Sequence, residues 1–218
     1  MMSTSAIPQP KTARPSAWAT TGATATTIGL AAAGWALSIP RMSGMDMGVA
    51  TTLGSFSFFM SVWVPMMAAM MLPGLMLPAV RMAATQRRPF AVPFYIGSYL
   101  TVWALVGVLV YAVYRPHSAA TAGVLAVAAG LYELTPLKRR FRQGCRDADR
   151  SGWQLGLCCV GSSAGLMVVM LAFGAMSLTW MAVIAAAVLI QKILPSRPAV
   201  DVPVAIAIVA LGVIELAR

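Results

Sequence analysis

Apolar residues fall along this chain in long blocks, separated by short segments that hold most of its charge. The blocks lack the alternation of a half-buried strand, and a helix of about 20 residues, rising about 1.5 Å per residue, crosses the hydrocarbon core of a bilayer. The pattern predicts about seven helices, over Ala19–Ile39, Phe56–Val80, Ala91–Tyr114, Ala119–Leu137, Trp153–Gly174, Ser177–Leu194 and Val202–Ala217. Pro40 and Arg41 are expected to close the first. Pro65, Pro73 and Pro78 interrupt the hydrogen-bond ladder of the second, which should bend and leave carbonyls for neighbours or water to satisfy. Residues 1–17, rich in Pro, Ser and Thr, read as a disordered cytoplasmic tail, and residues 18–218 as a single transmembrane helical domain. A cleavable signal peptide competes for the first block because Lys11 and Arg14 precede it. That block is too long for an h-region and lacks a small-x-small site before a polar segment.

Composition turns the pattern into a class. With 59% hydrophobic residues, 10% charged residues and a mean hydropathy of +0.79, the chain lies outside the soluble globular range. The expected fold is all-α, a polytopic transmembrane helix bundle in the cytoplasmic (inner) membrane, with the lipid bilayer as its first partner. Sixteen basic residues against six acidic ones would suit nucleic acid, but no compact basic domain is there to hold it, so no nucleic acid partner is expected. Seven crossings place thirteen of the basic residues on the side of the N-terminus and three, Arg41, Arg115 and Arg218, on the other. Basic loops resist translocation, so the asymmetry predicts a cytoplasmic N-terminus and an external C-terminus.

Candidate chemistry is concentrated in sulfur. The stretch WVPMMAAMMLPGLMLP, Trp63 to Pro78, carries Met66, Met67, Met70, Met71 and Met76, and thioethers are metal ligands at home among apolar side chains. The loop PRMSGMDMGVAT adds Met42, Met45 and Met47 with Asp46, a spacing suited to a soft ion such as copper(I). Given the predicted orientation, Met167 and Met170 reach the outer half of the fifth span, and Met176 and Met181 lie near them at the start of the sixth. Met67, Met70, Met167, Met170 and Met176, together with Met45 and Met47, are the candidate metal ligands, with Met66 and Met71 as second choices. Cys159 is a candidate inner relay. Cys158 is adjacent and cannot face the same site from an ideal helix. Glu133 is a candidate intramembrane acid, because a carboxylate inside a span is costly and faces a partner, a cavity or a translocation path. Simple pairing with Lys138 or Arg139 is its bland alternative, as packing is for the methionines. His117, alone in a loop, is a weak ligand candidate. No GxSxG, HExxH or phosphate-binding glycine loop is present, and one histidine cannot build a histidine-based metal site. The three cysteines do not spell a disulfide framework.

The loop MSGM, the segment WVPMMAAMMLP, the run GLYELTPLKRRFRQGCR and the stretch from Cys159 through GLMVVMLAFGAMSLTWM to Met181 resemble a bacterial family of predicted metal-binding integral membrane proteins, a domain of unknown function. The resemblance covers nearly everything from Met42 to Pro195 and implies a multi-pass inner-membrane protein associated with metal. It implies no reaction. The family pattern Cys-x-Gly-Cys-Cys-Trp is degenerate here, with Cys159 in the first place and Ser162, Ser163 and Ala164 in the others. The glutamine usual before LTPLK is Glu133, and the Glu-Lys pair that ends the family's sixth span is Gln191 and Lys192.

With methionines kept and cysteines reduced, the residues favour copper(I) over zinc. The leading expectation is a copper(I)-binding membrane protein that handles or delivers the ion to a partner membrane or periplasmic protein. An accessory or scaffolding subunit of a larger membrane complex is the alternative, and a proton-coupled transporter using Glu133 is a third. No catalytic residues are assigned, and an enzyme acting through bound copper stays open.

Overall fold

The computed structural model describes residues 17–43, 52–85, 90–145, 151–174, 177–194 and 198–217. Among these the chain is all-helical, in the order α1 (Ala17–Met42), α2 (Phe56–Met71), a 3₁₀ turn (Pro73–Leu75), α3 (Met76–Thr85), α4 (Ala91–Val113), α5 (Ala119–Glu133), α6 (Pro136–Gly144), α7 (Gly152–Gly174), α8 (Leu178–Ile193) and α9 (Pro198–Leu216). The expected disordered tail lies outside the described residues up to position 16. Three stretches are long and apolar enough to cross a membrane unaided, Thr20–Met42, Ala91–Val113 and Gly152–Gly174, and the count rises to five if each of two bent pairs is one span. Leu178–Ile193 is a shorter apolar helix.

Both bends sit at prolines. α2 and α3 meet at 46° across the turn that Pro73 opens, as the sequence leads one to expect. α5 and α6 meet at 64°, and here the expected boundary moves, since α5 stops at Glu133 rather than Leu137. Pro136 forces the residue before it out of the helical region, and Thr135 is extended (φ −69°, ψ 147°), its side chain accepting from the Lys138 N–H to cap α6. α1 runs through Pro40 to Met42 instead of ending there. Its last turn is held by the Arg41 guanidinium, which donates to the Leu37 carbonyl, and by the Ser43 N–H, which donates to that of Ile39.

Two helices carry the buried centre. α2 packs on α1, α4 and α8, and α7 packs on α4, α5, α6 and α8, so α4 and α8 are the elements that touch both. α5 and α9 form the closest pair. A Cβ on Gly123 would stand 2.8 Å from the Gly212 carbonyl, and one on Gly212 2.7 Å from that of Gly123, so the two backbones meet where neither residue can carry a side chain. One buried apolar cluster runs from Ala31 of α1 to Ile208 of α9. Phe94, Leu109, Val113 and Ile206 remain largely exposed on the outside.

Candidate metal centre

The broken turn after α2 shapes the candidate site. Met71 is the last residue of α2, and the Leu75 N–H turns to the Leu72 carbonyl (2.8 Å) in a 3₁₀ turn, leaving the Met71 carbonyl without its helical donor. Lys192, near the end of α8, supplies the missing hydrogen bond, its Nζ donating to that carbonyl at 3.3 Å. The same ammonium lies 3.9 Å from Met71 Sδ and donates to Tyr99 Oη of α4 at 3.3 Å. Tyr99 Oη in turn donates to Cys159 Sγ of α7 at 3.0 Å, and Cys159 Sγ stands 4.0 Å from Met71 Sδ. Four helices thus bring a thiol, a thioether, a phenol and an ammonium together. The contact between Met71 and Cys159 joins α2 to α7, which otherwise meet mainly through α4 and α8.

Tyr99, Cys159 and Lys192 border a cavity of about 400 Å³, also lined by Cys145 and Ser162, while Met71 lies just behind its wall against Cys159 and Lys192. Cys145, just past the end of α6, has its Sγ 3.7 Å from Ser162 Oγ. Burial, followed by the nearby Cys159, pushes the Cys145 thiol up to about 12, so it rests protonated. Ser162 and Ser163 both donate to the Cys159 carbonyl, at 3.0 and 2.8 Å. Both serines line the cavity, so the positions where the resembling family carries cysteine face the same space as Cys159.

A second cluster lies beside the first. Glu133, the last residue of α5, is fully buried and ion-paired with Lys138 of α6. Gln191 Nε2 donates to Glu133 Oε2 at 2.8 Å, and Lys138 Nζ donates to Gln191 Oε1 at 2.9 Å. Glu133 on α5 and Gln191 on α8 thus meet at one place, both in contact with Lys138. Arg142 pairs with Asp201 of α9 and donates to the carbonyls of Gln191 and Leu194. Among the described residues Glu133 Oε1 has no hydrogen-bond partner, and it points at Gly165, where a Cβ would come within 2.7 Å of it.

The candidates chosen from sequence separate accordingly. Met67, Met70, Met167 and Met170 are all buried, the first two on α2 and the others on α7. Met67 precedes Met71 by one turn on the same face of α2, so a thioether column leads toward Cys159. Met45, Met47 and Met176 lie outside the described residues. Of adjacent Cys158 and Cys159, only Cys159 lines the cavity, as helix geometry requires. His117 has Nε2 3.1 Å from the Ala172 carbonyl and Nδ1 3.1 Å from that of Arg115, which occupies the ring in fastening the loop. Tyr99 and Lys192 were not singled out from sequence as site residues. A sequence signal that could have found Lys192 is its place in the Gln191–Lys192 pair at the end of a span. Among the described residues no three His, Cys, Asp or Glu side chains converge as a metal site.

A family model described as PpoB2, copper chaperone, matches residues 60–215, a stretch that includes all the side chains of this centre. No curated protein and no solved structure matches the chain.

Proposed function

The chain belongs to the PpoB2 copper chaperone family, and on that premise we propose that it is a multi-pass inner-membrane protein that holds copper(I) between Cys159 and Met71 and passes it to a partner protein. The observation that carries the reading is the sulfur pair, Cys159 Sγ on the cavity wall and Met71 Sδ 4.0 Å from it. Metal–thiolate bonds run to about 2.3 Å, so one soft ion fits between two sulfurs at this spacing. Cys145 adds a second thiol on the same cavity, and soft ligands of this kind select copper(I). Thioethers are weak, exchangeable donors, and the Met67–Met71 column, with Met70 beside it, supplies a route along α2 for transfer. Met45, Met47, Met167, Met170 and Met176 make up the remainder of the proposed methionine-rich path.

The membrane placement is supported by the exposed apolar exterior, and the seven-crossing topology with a cytoplasmic N-terminus by the thirteen-to-three division of basic residues. One observation favours the scaffolding alternative. Met66, Met67 and Met70 are each at most 1% exposed, as packing side chains would be. Proton-coupled transport through Glu133 has less support, because Lys138 already neutralises that carboxylate.

Copper(I) competition against a soft-metal chelator, on the full-length protein in detergent under reducing conditions, tests the reading. The expected result is submicromolar binding of about one ion per chain that the double variant Cys159→Ser, Met71→Leu loses. Undiminished binding in that variant would overturn it, and a copurifying partner with no bound metal would favour the scaffold.

A further inference from the structure

The cavity is far larger than a metal ion requires. At about 400 Å³ it falls among sites for small molecules, which begin at roughly 300 Å³. Its wall includes Arg81, Arg142 and Lys192 and, among the described residues, no Asp or Glu. Arg142 is neutralised by Asp201, but the ion pairs found among the described residues do not include Lys192. The contacts of its ammonium are a carbonyl, a thioether and a phenol, all uncharged. The turn is also shaped around this side chain, since a Cβ on Gly74 would come within 2.1 Å of Lys192 Cδ. The result is a half-buried cation held at the cavity wall, 3.3 Å from the phenol that donates to Cys159.

We propose that the cavity binds a small anionic thiol carrying copper(I), with an acid group of the carrier on Lys192 and its sulfur beside Cys159. The inference rests on the copper reading for its cargo, while the anion site rests on the cavity alone. In the exchange the bond between copper and the carrier sulfur breaks and one to Cys159 Sγ forms. The thiol proton of Cys159 leaves with the carrier, and copper stays at +1. An ammonium beside the exchanging sulfurs holds the carrier in register and balances its charge.

The probe is S-methylglutathione, which keeps the carboxylates of an anionic thiol and cannot exchange metal, titrated into the full-length protein in neutral detergent. Wild type is expected to bind it, and Lys192→Gln to weaken binding by about tenfold or more while Lys192→Arg keeps most of it, as loss of one charge-assisted hydrogen bond predicts. The esterified, uncharged analogue should bind wild type about tenfold more weakly, a comparison that needs no variant to fold. Equal binding of acid and ester, or binding that survives Lys192→Gln, would overturn the proposal. So would Lys192-dependent binding of phosphatidylglycerol in nanodiscs without binding of S-methylglutathione, which would make this a lipid headgroup site. Copper(I) supplied as its acetonitrile complex separates the two readings. Uptake of that copper without S-methylglutathione binding sinks the anion site alone, and Lys192-dependent anion binding without copper uptake upholds that site and sinks the copper reading.

Discussion

The two proline breaks of this molecule are built alike and finished differently. At the α5–α6 break each buried charge has an opposite, Glu133 with Lys138 and Arg142 with Asp201, and Gln191 ties the two pairs together. At the α2–α3 break one cation, Lys192, faces uncharged acceptors, two sulfurs and an open cavity. Gln191 and Lys192 are consecutive on α8, so a single helix end serves both. A closed, neutral network fixes geometry, because breaking it would leave an unpaired buried charge. An uncompensated cation beside soft donors is instead ready to receive something, and the closed cluster holds α6 and α8 in place for it.

The largest expected effect tests whether the closed cluster is structural. Lys138→Met leaves Glu133 buried without its cation, and should cost about 3–5 kcal/mol of stability, read as a lower melting temperature in detergent. Glu133→Gln should also destabilise, because Lys138 then lacks its anion. Adding Gln191→Glu returns a carboxylate to within hydrogen-bonding reach of Lys138 and should recover most of the loss. Failure of the double exchange to recover would break the claim that position in space, and not the helix of origin, is what the acid requires.

On the open side the sulfur effects should be next in size. Cys159→Ser is expected to lower copper(I) affinity on the order of a hundredfold, and Met71→Leu less, about tenfold, because a thiolate is a stronger donor than a thioether. Neither should move the melting temperature as Lys138→Met does. A large loss of stability in Met71→Leu would instead assign that methionine to packing.

Ser162→Cys sharpens the comparison in the other direction. It puts a sulfur where an oxygen now lies 3.7 Å from Cys145 Sγ. The expected outcome is copper(I) bound about tenfold more tightly in reductant, and a disulfide between Cys145 and the introduced thiol on oxidation, visible by mass after alkylation. Unchanged affinity would place the metal away from this wall. The smallest effect on copper(I) affinity is expected from leucine at Met67, Met70, Met167 and Met170 together. Volume-conserving swaps cost under about 1.5 kcal/mol each, and equilibrium binding at Cys159 should remain while release to a soft chelator slows. Loss of all binding in this variant would shift the site to the methionines.

Much of the fold was legible because its elements are local. The blocks at Ala91–Tyr114 and Trp153–Gly174 match α4 and α7 to within a residue, since an apolar run of that length leaves the backbone little choice. The bend after α2 followed from Pro73. The end of α5 did not, because apolar Leu134 and Leu137 masked the effect of Pro136 on Thr135. Glu133 stood out as a charge within a span, and Lys138 was named as its bland partner, but that Gln191 completes the cluster was not visible from one strand of sequence. The methionines are conspicuous by number, whereas nothing in the sequence marks Tyr99 as a site residue and Lys192 enters only as the second member of the Gln191–Lys192 pair.

By itself the sequence determined what each segment must be: helical, apolar outside, broken at particular prolines, rich in sulfur and basic in particular loops. Those properties follow from backbone hydrogen bonding and transfer free energies, which act over a few residues at a time. Only the tertiary structure decided which sulfurs meet. Met71 and Cys159 are brought to 4.0 Å from opposite halves of the chain. Their meeting depends on how α4 and α8 pack between α2 and α7, on a carbonyl freed at Met71 and on a glycine that lets Lys192 reach it. Packing of whole helix faces sets those relations, and no local period in the sequence records them.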